Sequence, residues 1–280
     1  MSTPEGRTGH PGTGIRLIGR QVYYEQLNFW LNPIAAVFTV GFSVVFMVMM
    51  GSSAGNSTSS AIGGTRTIEY YVPAFLAYGV MSTCFTSLST ALVVRRESGL
   101  LKRLRLSPLP TWGFLAAVCA NAIIISLFQV VILLLIGSFA YHVPMPHDPA
   151  ALALALIVGA FCFTAVGMAM STLVPNQEAA GPVTSVVFFV LLFLSGLWYP
   201  MSPHSALARI SSWFPIRHMI LATFAPFDPQ HGVSPWAWGD LAAMAAWGAV
   251  AAYVAARRWS WAPRRRGNRR RGLRAGAPTR

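Results

Sequence analysis

Apolar residues in this chain fall in long unbroken runs and do not alternate with polar ones. Six stretches, Pro33–Met50, Tyr71–Val94, Trp112–Ala140, Ala151–Val174, Pro182–Tyr199 and Trp236–Ala256, contain no Lys, Arg, Asp or Glu apart from Asp240 near the start of the last. A hydrocarbon layer of roughly 30 Å needs about 20 helical residues to cross it. Lipid offers the backbone no hydrogen-bond partner, so runs of this length must be helices. The pattern predicts an all-α membrane protein with six transmembrane helices. The third run is long for a simple span, which predicts a tilt or an interfacial end.

The segment IRLIGRQVYYEQLNFWLNP precedes the first span and has a different texture. Ile15, Ile18, Val22 and then Gln26 or Phe29 recur at helical spacing, with Arg16, Arg20 and Glu25 expected on the other side. Tyr23, Tyr24 and Trp30 suit the headgroup layer. This predicts an N-terminal amphipathic interfacial helix, either a plain anchor or one that also touches a cytoplasmic partner. Residues 1–14 read as a flexible cytoplasmic leader, and the first apolar run starts too late for a signal peptide. The six-helix domain is expected over 15–256 and an Arg-rich cytoplasmic tail over 257–280.

Composition agrees: 54% of residues are hydrophobic, 10% are charged, and the mean hydropathy is +0.52. A soluble domain carries nearer a quarter charged residues. Of the 21 Lys and Arg, 18 fall on one side of the predicted spans, and Arg66, Arg209 and Arg217 are left on the other. Lys and Arg are retained in the cytoplasm, so both termini are expected there, in a multi-pass membrane protein. A basic tail can bind nucleic-acid phosphates. Directly behind a spanning helix it more simply fixes topology and meets anionic lipids, and no nucleic acid is expected as a partner.

Candidate chemistry is sparse. Cys84, Cys119 and Cys162 all lie within spans, where they act as small apolar side chains. His142 and His147 share an outer loop with Asp148, and His204, His218 and His231 share another, in no spacing that marks a metal site. No catalytic constellation occurs at membrane depth, and no filter-like loop argues for a channel. The phosphate-binding pattern G-x-x-x-x-G-K-[ST] is absent, so no nucleotide site is expected in this chain.

The remaining charge cluster is RRESGLLKRLRLSPLP, residues 95–110. Glu97 and Ser98 are placed to open a short cytoplasmic helix, Lys102, Arg103 and Arg105 to close it, and Pro108 to stop it. Leu100, Leu101 and Leu104 give it an apolar strip. About ten residues are marginal as an isolated helix, so it needs a surface to lie on.

This run resembles the loop between helices two and three of ABC-2-type ABC transporter permeases, bacterial drug and antibiotic-resistance exporters among them. Glu97, Gly99, Arg103, Leu104 and Pro108 match the family spacing. FLSGLWYP at 193–200, followed by Pro203, Ile210, Pro215 and His218, is similar to the end of helix five and the re-entrant outer segment. VPNQEAAGP at 174–182 is similar to the turn between helices four and five. The resemblance implies an exporter permease that dimerises, with itself or a close relative, and carries two ABC ATPase subunits, which bind the ATP and Mg. It implies a coupling helix at 97–108, with Glu97, Ser98, Gly99, Leu100, Leu101, Arg103, Leu104 and Pro108 at the ATPase contact. The alternative is a positively charged connector that only fixes topology. Helices two and five are expected to line the path, through Phe75, Met81, Phe85, Phe188, Phe189 and Phe193. Gly196, Tyr199, Pro200 and Pro215 are expected to shape a re-entrant lid.

Overall fold

The computed structural model describes residues 11–54, 57–58, 64, 66–98, 111–198, 205–227 and 234–259. Their regular structure is helical, apart from one antiparallel bridge between Thr58 and Arg66. Helix α1 (Pro11–Trp30) comes first. Helix α2 joins Pro33–Ala36, a π-helical turn Val37–Gly41 and Phe42–Ala54. Helix α3 joins Thr67–Met81, a second π-helical turn Ser82–Ser87 and Leu88–Glu97. Then come α4 (Thr111–Tyr141), α5 (Pro149–Leu173), α6 (Gln177–Ser195), the short α7 (Ala206–Ser211) and α8 (Pro215–Phe224), and α9 (Trp238–Arg258). Six of these, α2 to α6 and α9, are long and apolar enough to cross a membrane.

The helix ends follow from local chemistry. Asn32 accepts a bond from the Ala35 amide, Asp148 from Ala150 and Ala151, and Asn176 from Ala179, so each caps the helix that follows. Gly196 ends α6 in the left-handed region at φ 82°, before the expected end at Tyr199. Helix α3 runs past its expected limits at both ends, because Arg66–Glu69 pairs at one and Arg95 and Arg96 find partners at the other.

Helix α3 is the centre of the bundle: 67% of its most apolar window is buried, against 17% for α2. It packs on α2, α4, α5 and α8, while α9 lies chiefly along α5. Gly167 of α5 rests on the second π turn, where an added Cβ would stand 2.7 Å from the Cys84 carbonyl oxygen. Phe161, Val186 and Val250 are exposed on their spans, as lipid-facing side chains are.

Candidate functional site

The charged end of α3 is anchored twice. Arg95 donates from both terminal nitrogens to Glu25 of α1, at 2.8 and 2.5 Å. Gln21 donates to the same carboxylate at 3.0 Å, and Gln26 reaches the Asn121 carbonyl of α4 at 3.3 Å. Arg96 turns the other way, buried, and donates to the carbonyls of Ser171 at 3.0 Å and Val174 at 2.8 Å. These carbonyls close α5, where the helix dipole is negative. Glu25 is therefore turned inward, opposite to its expected direction, because Arg95 supplies a charge-matched partner at that depth.

Glu97 is the last residue of α3 and Ser98 its cap, with the Ser98 amide bonded to Val94 and its hydroxyl to Arg95. The pair thus closes a helix where the sequence suggested the opening of one. Gly99, Leu100, Leu101, Arg103, Leu104 and Pro108 lie outside the described residues.

A groove of about 320 Å³ opens between α2, α3 and α6, lined by Phe38, Phe42, Tyr78, Phe188 and Phe189 among others. Phe193 is exposed one turn further along α6. Phe75, Met81 and Phe85 instead fill the protein interior, since the central helix buries most of its circumference. Behind the groove, buried Gln129 of α4 accepts from Thr83 at 3.0 Å and donates to the Ser43 hydroxyl and, at 3.4 Å, to the Thr39 carbonyl. Thr39 and Thr83 belong to the two π turns, so one side chain joins both irregular turns. A single Gln in a 31-residue apolar helix was the available signal.

At the far end, Tyr70 and Tyr71 of α3 donate to the carbonyls of Gly196 and Trp198, at 2.8 and 3.3 Å. Pro215 is buried in the first turn of α8, which packs against α3, α5, α6 and α9. Tyr199 and Pro200 lie outside the described residues. His218 of α8 is 2.6 Å from the Asp240 carboxylate through Nδ1 and 2.9 Å from the Ser212 carbonyl through Nε2. Both neighbours are acceptors, so making both bonds requires both ring protons. The bond to Asp240, foremost, raises the His218 pKa above its usual 6.5. Among the described residues no three His, Cys, Asp or Glu side chains gather to hold a metal.

A bundle of six apolar helices, one carrying a doubly anchored charged end, defines a multi-pass membrane protein. Residues 55–257 match the model of the ABC-2 family transporter proteins, and the chain belongs to that family as a transporter's membrane subunit. It is 31% identical over 154 residues to YbhR of Escherichia coli K12, which carries the name of a multidrug ABC transporter permease; the match covers 53% of this chain and 41% of YbhR. Its likeness to YvfS of Bacillus subtilis, named as a transport permease, is 24% over 151 residues, covering 53% of this chain and 61% of YvfS. The chain thus spans about half the length of the curated relatives it matches.

Proposed function

We propose that this chain is the permease of an ATP-driven exporter that moves a hydrophobic or amphiphilic substrate, a drug or antibiotic, a lipid or a glycan, outward across a bacterial cytoplasmic membrane. The family membership and the names of its relatives support a transport role, and the uncharged groove, lined by aromatic side chains and by the hydroxyl-bearing Thr39, Ser82, Thr86, Ser87 and Ser185, fits an amphiphilic cargo. A separate ABC ATPase, in two copies, binds ATP and Mg. Two permease chains, identical or closely related, form the transport unit, with both termini cytoplasmic, the 15–256 domain in the membrane and the 257–280 tail on anionic lipid.

The observation that carries this reading is the double anchorage at Arg95 and Arg96. The 97–108 segment follows both arginines directly, so a push on it from a partner passes into α1 through Glu25 and into α5 through Val174. The segment beyond Gly196, held by Tyr70, is read as the re-entrant lid at the exit.

The test is co-purification with an ABC-type ATPase and permease-stimulated ATP hydrolysis in lipid vesicles. Glu97→Ala and Gly99→Leu should insert normally yet lose stimulation and export, and Lys102→Gln should be milder because a charge at the rim of a contact is usually screened and replaceable. Wild-type stimulation in the first two variants would return the loop to a plain connector.

A further inference from the structure

Arg217 stands in the first turn of α8, at the end of the bundle away from Arg95 and Arg96, and only 8% of it is exposed. Among the described residues no acid pairs with it. Glu69, Glu25, Glu97 and Asp240 are matched to Arg66, Arg95, Arg96 and His218, Asp148 caps α5, and Glu178 opens α6 at the opposite end. The Tyr70 hydroxyl lies beside the Arg217 guanidinium, but it is neutral and already donates to the Gly196 carbonyl.

Helix α8 deepens the deficit. Its first turn is the positive end of the helix dipole, and its cap residue, Phe214, has no side-chain acceptor for the free amides there. A buried cation without a counter-charge is strongly unfavourable. None of the guanidinium nitrogens is fully enclosed without a partner, so the charge is reached from outside the chain. Tyr70 lies in the first turn of the α3 span, which sets Arg217 near the membrane surface, at the depth of the phosphate layer.

We propose that Arg217 binds a phosphate group supplied from outside the chain, by a membrane phospholipid or as a free anion. The planar guanidinium meets two phosphate oxygens at once, and the uncapped start of α8 adds to the attraction. The site rests on this local charge imbalance and does not depend on the direction or cargo of transport.

The full chain is purified in detergent, stripped of lipid, and given phosphatidylglycerol or diacylglycerol of identical acyl chains, or inorganic phosphate. Bound lipid is counted by native mass spectrometry, and Tm is followed in parallel. Wild type should retain phosphatidylglycerol about tenfold better than Arg217→Met does, the worth of one hydrogen bond to a charged group, while both retain diacylglycerol alike. A Tm rise with inorganic phosphate in the wild type alone, without that lipid difference, identifies the free anion as the ligand. In the stripped state Arg217→Met should be at least as stable as wild type, because it removes an unmatched buried charge and keeps an apolar stem. A variant that retains phosphatidylglycerol and answers phosphate as wild type does overturns the proposal. So does a variant that is less stable than wild type in the stripped state, or fails to fold, since the chain itself would then satisfy the guanidinium.

Discussion

Arg96 and Val174 lie 78 residues apart in sequence and 2.8 Å apart in space, guanidinium to carbonyl. The contact ties the charged end of α3 to the turn between α5 and α6. The end of the VPNQEAAGP turn that Arg96 touches also carries Asn176, which caps α6. One arginine thereby sets the spacing of three spans.

Arg96→Met should leave the Ser171 and Val174 carbonyls short of a donor and cost about 1–3 kcal/mol. Arg96→Lys should recover part of this, because an ammonium cannot span two carbonyls in the guanidinium's planar geometry. Thermal unfolding in detergent ranks the three proteins, and an Arg96→Met variant as stable as wild type contradicts the assignment.

The Glu25–Arg95 pair is largely enclosed, with side-chain exposures of 9% and 20%, so its loss should lie nearer the about 3–5 kcal/mol of a fully buried pair than the about 1 kcal/mol of an exposed one. Glu25→Gln and Arg95→Gln should each destabilise, and the double variant by less than the sum. Additive losses in that double-mutant cycle would mean that the two side chains act separately.

Replacing Gln129 with Leu keeps volume but removes the bridge between the π turns. Hydrogen bonds between membrane helices average about 0.6 kcal/mol and reach about 1.7, so a loss of about 1–2 kcal/mol is expected. Transport should fall more than stability if the two turns must move together. An unaltered ratio of activity to folded protein would show the bridge to be only structural.

His218 supplies a pH test. Its pKa is higher folded than unfolded, so the stabilisation from the Asp240 bond is complete below 6.5 and fades as pH rises through the folded value. Wild-type Tm should therefore drop on the alkaline side of 6.5 relative to His218→Gln, whose profile should be flatter there. Parallel profiles would remove the charged histidine from the account.

The six spans were legible because lipid leaves an uninterrupted apolar run one conformation. Glu25 was misread since a helical wheel places every charge outward, and its partner stands 70 residues away. The apolar residues of α2, α3 and α6 gave no hint of face: nothing in their hydropathy separates Phe85, fully enclosed, from Phe189, exposed in the groove. Neighbouring helices make that distinction. Tyr70 and Tyr71 were hidden for the same reason, their partners lying beyond Ser195.

A π-helical turn holds one residue more than the α-helix around it, and one residue is about 100° of rotation. In α3 this offset falls at Ser82–Ser87, upstream of Arg95 and Arg96. It acts as a phase setting for everything beyond it. Winding those same residues as regular α-helix would leave the span equally apolar, yet swing both arginines about 100° away from Glu25 and Val174. The alignment of the charged end is written some ten residues before it, in an angle.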